Sequence, residues 1–202
     1  LISSNNKPIN QLAYVNRNFI QNSPLFLNLN GHLPQYLFGG QKVSATIDTN
    51  GLLFIIRESI FTSPNKTVKP SILPNNSEAI CVACCNSFIV VLCSNGLCFL
   101  SSLEFDEISF ALIEDFESEE IIEISGTCGH CLAVCKSGKV FGYGSNFVGC
   151  LGIGNDLTKT IKFIEIKTLE KYKIVHASAG CNHSLFVTSE GKVIACGSNY
   201  YE

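Results

Sequence analysis

The sequence predicts an all-β fold of repeated antiparallel units, because a long internal repeat coincides with the pattern of β-strands. Residues 128–146 match residues 181–199 without a gap, so that His130 corresponds to His183, which lies 53 positions later. A fixed period of roughly 50 residues is typical of stacked supersecondary units such as propeller blades. Within both copies, apolar residues alternate with small or polar ones, as they do along β-strands.

Residues 1–35 are the least regular part of the sequence and show no trace of the repeat. Asparagine and proline recur throughout them, and both residue types favour turns. Residues 25–29 alternate apolar and polar side chains, and we interpret them as an outer strand of the first unit. The prediction is an N-terminal segment of strands and loops over residues 1–35, followed by a repeat domain over residues 36–202.

Two faint copies of the repeat precede the clear ones. Apolar strands that begin at Val43 and Phe88 lead into turns at Gly51 and Gly96, and each turn is followed by a second apolar strand. Both copies lack the histidine that marks the later ones. The prolines of residues 63–76 separate the two faint copies and predict a loop at the rim of the fold, not a linker between domains.

The two clear copies, which lie within residues 120–202, each predict a β-hairpin. The first strand begins at the histidine and is expected to be half-buried, because it alternates apolar residues with smaller or polar ones. It ends in a turn centred on Gly138 or Gly191, where glycine can adopt positive φ without a Cβ clash. The apolar run 161–166 predicts a further strand. Because an isolated hairpin is only marginally stable in water, these units must stack against their neighbours.

The clear copies resemble the repeat of the regulator of chromosome condensation family. The resemblance rests on Ser-Ala-Gly-Cys-Asn-His-Ser at residues 178–184 and on the glycine-rich stretch 145–154, in which Cys150 replaces the glutamine usual in the family. It is specific over residues 120–202 and loose over residues 36–119. The resemblance implies a seven-bladed β-propeller with four-stranded antiparallel blades. A chain of 202 residues would supply about four such blade units, and we therefore expect a partial propeller, a fragment of a longer protein.

The positions that match the family's repeat are expected to have structural roles. They are His130, Gly138, Gly144, Asn146, Gly149, Leu151, Gly152, Gly180, His183, Gly191, Gly197 and Asn199. A histidine that recurs at one position of successive repeats argues for a structural role, since catalysis needs a single site. We predict that a ring nitrogen of each of these two histidines forms a hydrogen bond to the backbone, within a blade or between blades.

Eleven cysteines raise the hypotheses of a zinc site and of a set of disulfides. Residues 81–85 and 128–131 contain the cysteine and histidine ligands that zinc prefers. Successive side chains of a β-strand point to opposite faces, however, so neither group is expected to converge on one ion. An odd number of cysteines in a chain of this size does not suit a disulfide framework. We expect no metal, and mostly reduced, buried thiols in a cytoplasmic or nuclear protein.

Charge and motifs exclude several classes of function. The net charge of −3 offers no basic surface for nucleic acid, and no uncharged apolar run reaches the roughly 18 residues of a membrane helix. The sequence has no nucleophile elbow, no zinc-protease helix motif and no phosphate-binding loop. The glycines of residues 149–154 do not have the spacing of a dinucleotide-binding fingerprint. We expect no catalytic site and no cofactor.

An acidic stretch lies between Lys69 and Lys136, where the sequence has no Lys or Arg. Nine acidic residues fall within residues 104–123 of this stretch, and they are Glu104, Asp106, Glu107, Glu114, Asp115, Glu117, Glu119, Glu120 and Glu123. Such a stretch could steer a basic partner by electrostatics. The alternative is a solvated loop between blades that keeps an apolar protein in solution, and we favour it because charge runs usually lie on exposed faces.

Three hypotheses about function follow from the missing active site and from the resemblance. The first, which we favour, is a propeller for protein–protein interaction: a scaffold or regulatory module that binds a protein partner. The second is guanine nucleotide exchange on a small Ras-like GTPase, which is the activity of the founding member of the family. The third is a regulatory propeller within a larger ubiquitin ligase or kinase.

Overall fold

The computed structural model describes residues 11–14, 25–57, 67–105, 107–116, 118–154 and 156–199. In these ranges it contains sixteen β-strands and two short 3-10 helices, at Pro74–Asn76 and Lys167–Leu169. The strands are β1 (Gln11–Tyr14), β2 (Leu25–Asn28), β3 (Pro34–Gly39), β4 (Val43–Asp48), β5 (Leu53–Arg57), β6 (Ala79–Cys84), β7 (Phe88–Cys93), β8 (Cys98–Ser102), β9 (Ala111–Leu112), β10 (Ile121–Thr127), β11 (His130–Cys135), β12 (Val140–Ser145), β13 (Lys159–Glu165), β14 (Ile174–Ala179), β15 (His183–Thr188) and β16 (Val193–Gly197). Neither helix has the length or the apolar character to span a membrane.

Some predicted features lie outside the described residues. They are residues 1–10 and 15–24 of the N-terminal segment, residues 63–66 of the predicted rim loop, and Asp106 and Glu117 of the acidic stretch.

Consecutive strands pair antiparallel into five meandering sheets. Strands β1 and β2 form a two-stranded sheet. We name the others the first blade (β3–β5), the second blade (β6–β9), the third blade (β10–β13) and the fourth blade (β14–β16). The predicted hairpins of the clear and faint copies are confirmed, and the apolar run 161–166 falls largely in β13, as predicted.

The blades stand side by side, and the first strand of each later blade contacts the blade before it. Strand β6 contacts β3 and β4, β10 contacts β6, and β14 contacts β10. This radial stacking of antiparallel meanders is a partial β-propeller of four blade units, which confirms the predicted fold class. Two blades have four strands, and the described residues of the other two supply three.

Each interface between blades is filled by its own apolar core, and the middle strands contribute to two cores at once. In β11, Leu132 and Val134 pack in the core shared with the fourth blade, whereas Cys131 and Ala133 pack in the core shared with the second blade. All six residues of β11 are therefore buried. The expectation of a half-buried strand is wrong for β11, because neighbouring blades cover both of its faces, but burial does alternate along β15.

The predicted outer strand at residues 25–29 does form, but in a different sheet. Strand β2 pairs with β1, in a register that sets Leu25 opposite Tyr14, and not with the sheet of the first blade. Its assignment to the first blade is therefore wrong.

Candidate functional site in the third blade

The described residues of the connection between β12 and β13 are joined by hydrogen bonds of Asn146. The Asn146 side chain is almost fully buried, 5% exposed. Its Nδ2 donates to the carbonyl of Leu157 at 2.7 Å, and its Oδ1 accepts from the amide of Leu151 at 2.9 Å. The backbone N–H of Asn146 also donates to the carbonyl of Thr158, at 2.7 Å. One side chain thus holds both ends of the loop together.

The glycine-rich part of this loop is also fixed to the fourth blade. Leu151 is fully buried and lies in the core between the third and fourth blades. The neighbouring carbonyl of Cys150 accepts a hydrogen bond from the Ser184 hydroxyl at 2.6 Å and another from the Cys196 thiol at 3.2 Å. The loop is therefore held both within its own blade and by the next blade.

Four large apolar side chains on and beside this loop project into solvent. Phe147 is 81% exposed, Val148 37%, Leu157 52%, and Ile161 on the adjoining strand β13 85%. The bond from Asn146 to the Leu157 carbonyl and the pairing of Thr160 with Gly144 bring them to the same end of the third blade. We call these four side chains the apolar loop patch. Exposed apolar side chains on an ordered loop are typical of a surface that binds another protein.

His130 lies at the start of β11 and connects the third blade to the fourth. Its Nε2 lies 2.9 Å from the Ser184 hydroxyl, and that hydroxyl donates its hydrogen to the Cys150 carbonyl. A hydroxyl that donates elsewhere accepts from the imidazole, so Nε2 carries the ring hydrogen. The predicted backbone partner is thus wrong for His130, because a side-chain hydroxyl of the next blade reaches the ring first.

The charge state of His130 follows from its burial. The side chain is fully buried, and Nδ1 has no hydrogen-bond partner among the described residues. Burial, with a smaller contribution from the nearby His183, lowers the pKa of His130 to about 4. His130 is therefore a neutral structural histidine at physiological pH. A general acid or base needs a pKa near the working pH, and the pKa of His130 lies well below that range.

His183 occupies the equivalent position at the start of β15 but is exposed. Its ring packs against Gly180, where a Cβ would collide with it. No hydrogen bond from this ring is found within the described part of the chain, so the backbone partner predicted for His183 is not present there. The partner of His130, Ser184, lies on β15 of the following blade. Among the described residues, no blade follows the fourth one to supply such a partner for His183.

The other predicted repeat positions lie in turns and strand ends. Gly138 and Gly191 close the central hairpins of the third and fourth blades, and Gly144 and Gly197 end their second strands. Gly149 and Gly152 lie in the β12–β13 loop with positive φ. Asn199, the equivalent of Asn146, is exposed just after β16. The structure thus gathers Asn146, Gly149, Leu151 and Gly152 into one loop, and it sets Gly144 opposite His130 and Gly197 opposite His183 on paired strands.

Several acidic residues of the predicted patch are paired within the chain. Glu119 and Glu120 form ion pairs with Lys139 and Lys136, both at 2.8 Å, and a carboxylate oxygen of Glu123 lies 3.1 Å from Nδ1 of His176. Both Lys136 and His176 are largely exposed, so these pairs stabilise the fold little. The pairing supports a solvated loop more than a docking surface for a basic partner.

Seven of the eleven cysteines are buried, in agreement with the prediction of apolar packing roles. Burial raises the pKa of Cys84, Cys98 and Cys135 to about 12, so these thiols stay protonated and unreactive. Within the described ranges, no three His, Cys, Asp or Glu side chains are placed to hold a metal ion.

Sequence reasoning missed Ser184 and the apolar loop patch. Ser184 follows the repeat histidine of the fourth blade, and its pairing with His130 would have needed the relation between successive repeats to be known. The exposure of Phe147 and Ile161 has no sequence signal, because apolar residues in a strand-rich chain are expected to be buried.

Residues 137–187 and residues 174–202 each match a family profile described as Regulator of chromosome condensation (RCC1) repeat. The chain is similar to the ultraviolet-B receptor UVR8 of Arabidopsis thaliana, with 33% identity over 85 residues that cover 42% of this chain and 19% of the receptor. It is 42% identical to the probable E3 ubiquitin-protein ligase HERC6 of Homo sapiens over 77 residues, 36% of this chain and 7% of the ligase. It is 32% identical to the secretion-regulating guanine nucleotide exchange factor of Bos taurus over 97 residues, 48% of this chain and 21% of that protein.

Solved structures agree on the fold. Yeast RCC1 (Prp20), solved bound to Kap60, superposes with a TM-score of 0.70 and 14% identity, over 88% of this chain and 47% of that one. Human WBSCR16 gives a TM-score of 0.68 and 18% identity, over 82% and 47%. The chain spans about half the length of these two solved structures and between 7% and 21% of the three curated relatives.

Proposed function

Since this chain belongs to the regulator of chromosome condensation repeat family, we propose that it is a protein–protein interaction propeller, a scaffold or regulatory module without a catalytic site of its own. The observation that carries the proposal is the apolar loop patch, in which four large apolar side chains are exposed on a loop that hydrogen bonds hold in place. Burial of such side chains by a partner contributes roughly 25 cal/mol for each Å² removed from water.

The order of the loop supports this role further. A loop that is already fixed loses little conformational entropy when a partner binds, so that more of the contact energy is available as affinity. The two side-chain hydrogen bonds of Asn146 and the bonds from the fourth blade to the Cys150 carbonyl hold the loop in this conformation. The partner that fits is a protein with a complementary apolar surface and a polar rim.

A double substitution of the patch tests the proposal against a matched control. Phe147→Ser with Ile161→Ser removes the two most exposed patch residues. The control, Phe105→Ser with Ile72→Ser, removes an exposed phenylalanine and an exposed isoleucine elsewhere, at 68% and 81% exposure. Cell extract is passed over each immobilised chain, and each captured protein is then purified and titrated directly.

We expect at least one captured protein to bind the wild type and the control with similar Kd and the patch variant at least about tenfold more weakly. Equal binding of all captured proteins to the patch variant and the wild type, with both shown to be folded by circular dichroism, would refute the role of the patch.

Guanine nucleotide exchange is the second candidate, and the similarity to the bovine exchange factor favours it. Exchange needs no catalytic side chain, because a protein that binds the nucleotide-free GTPase more tightly than the nucleotide-bound form accelerates release. Release of fluorescent GDP from a panel of small GTPases separates the two candidates. Acceleration that the patch variant loses would make the patch an exchange surface, whereas binding without acceleration leaves the scaffold role. The third candidate, a regulatory propeller of a larger ligase, is supported by the similarity to HERC6.

A further inference from the structure

Equivalent turn residues of the four blades contact one another in series. Each lies two positions before the middle strand of its blade, and they are Gln41, Asn86, Cys128 and Cys181. The Asn86 side chain donates to the Gln41 side chain at 3.0 Å, and the Asn86 backbone N–H donates to the Cys128 carbonyl at 2.7 Å. The series ends with the Cys128 and Cys181 sulfurs, which lie 2.7 Å apart. The two thiols thus occupy the place that an amide–amide hydrogen bond holds between the first and second blades.

We propose that Cys128 and Cys181 are a modification site, at which a peroxide oxidant forms a reversible disulfide between the third and fourth blades. A disulfide needs its sulfurs about 2.05 Å apart, so the two side chains need only a small movement to form the bond. Both residues lie in turns, between β10 and β11 and between β14 and β15, where small adjustments disturb no strand pairing.

Exposure distinguishes Cys181 from the other ten thiols. Cys181 is exposed and Cys128 partly exposed, whereas seven of the remaining nine cysteines are buried. Cys150 and Cys196 come close to each other, but their thiols donate to the carbonyls of Ser145 and Cys150 and not to each other. The proposal leaves the other nine thiols reduced.

The chemistry needs one equivalent of hydrogen peroxide. The Cys181 thiol loses its proton, and the thiolate attacks one peroxide oxygen. The O–O bond breaks, and the hydroxide that leaves takes a proton, so the products are the Cys181 sulfenic acid and one water. The Cys128 thiolate then attacks the sulfenic sulfur, the S–O bond breaks, and the hydroxide that leaves takes a proton to form a second water. The two thiols together lose two electrons, and these electrons reduce the peroxide to two waters. A dithiol such as dithiothreitol reverses the reaction by thiol–disulfide exchange.

The link would join turns that lie 53 positions apart in the sequence and on adjacent blades in space. It would hold the fourth blade against the third, in the same pair of blades whose contacts position the β12–β13 loop. Cytosolic disulfides of this kind are usually transient and sense redox conditions. The proposed disulfide is therefore a redox-controlled cross-link between two blades.

Peptide mapping of the full 202-residue chain tests the proposal directly. The folded protein is treated with hydrogen peroxide, free thiols are alkylated, and trypsin is combined with a glutamate-specific protease. Cys181 is the sole cysteine of fragment 174–190, and Cys128 lies in fragment 124–136 with Cys131 and Cys135. We expect a linked pair of these two fragments, with fragmentation that places the bond on Cys128, and its loss on reduction.

Two variants and one control accompany the mapping. Cys128→Ser and Cys181→Ser should abolish the linked fragments, whereas Cys196→Ser, a half-buried thiol of the same blade pair, should retain them. Oxidation should raise the Tm of the wild type by about 5 °C or more and leave the Tm of the first two variants unchanged. A bond on Cys131 or Cys135, or a Cys181 that is oxidised without forming a link, would overturn the proposal.

Discussion

Two histidines at the same repeat position differ in what covers them. His130 is fully buried and bonds to Ser184 of the next blade, whereas His183 is exposed. The repeat pattern predicts where both residues lie, since each begins a middle strand. It does not predict their partners, because the partner of His130 is supplied by the following repeat. One residue type at one register position thus has two environments.

Acid should destabilise the protein through His130. Its pKa is about 4 in the folded chain and about 6.5 in an unfolded one. Between these values the unfolded chain binds a proton that the folded chain does not, so the free energy of unfolding falls as the pH falls. We expect His130 to contribute a loss of about 2 kcal/mol between pH 7 and pH 5, measured by urea unfolding at each pH.

Glutamine variants isolate this contribution. His130→Gln retains a donor near the position of Nε2 but does not titrate, so the loss between pH 7 and pH 5 should be smaller by about 2 kcal/mol than in the wild type. His183→Gln keeps His130 and should retain most of the pH dependence of the wild type, because His183 makes only the smaller contribution to the low pKa of His130. Identical pH profiles for the wild type and His130→Gln would contradict the assignment of His130 as a buried neutral group.

At the scale of single elements, glycines allow the strands to end and turn where they do. Gly191 has φ +79° in the hairpin turn of the fourth blade, with open space where a Cβ would point. Gly144 has φ +96° at its place opposite His130 in the third blade, and a Cβ there would collide with the carbonyl oxygen of Gly129. Hairpin turns were predictable because glycine and strand alternation are local signals. The close approach at Gly144 is a contact between strands, which a local pattern does not contain.

Alanine substitution at these two glycines should lower the free energy of unfolding by different amounts. Gly191→Ala incurs only the strain of positive φ and should lower the free energy of unfolding by about 1 kcal/mol. Gly144→Ala adds the collision with backbone and should lower it by at least about 3 kcal/mol. Chemical denaturation of both variants measures the difference. If the two variants lose the same free energy of unfolding to within about 0.5 kcal/mol, the backbone near Gly129 can shift to accommodate the new Cβ without a measurable loss of stability.

At the scale of the whole molecule, the position of a blade in the stack decides which of its residues are buried. Leu132 in β11 is fully buried, whereas its equivalent in β15, Leu185, is 40% exposed. Likewise Val140 is 1% exposed and its equivalent Val193 is 64% exposed. The two blades have similar sequences, so the difference comes from what stacks on them. Outer faces of this kind are the surfaces that a further blade covers in a closed propeller.

Substitution of the two leucines measures this effect of stacking. Leu132→Ala leaves a cavity between two blades and should lower the free energy of unfolding by about 2 to 5 kcal/mol. Leu185→Ala removes a partly exposed side chain and should cost less than about 1 kcal/mol in this chain. Calorimetry or urea unfolding of the two variants provides the comparison. Equal costs would mean that the outer face of the fourth blade is covered in solution, and sedimentation would then reveal a second copy of the chain.

The sequence by itself determined the strands, the glycine turns and the family, because each depends on signals that are visible along the chain: alternation within a strand, glycine at a turn, and a spacing of 53 positions between Gly138 and Gly191. The tertiary structure alone decided that β11 is buried on both faces, that Ser184 meets His130, that Phe147 and Ile161 are exposed, and that Cys128 lies against Cys181. Each of these depends on which residues one blade presents to the next. Such contacts arise from the stacking of blades, which joins residues about 50 positions apart and leaves no trace in a local pattern.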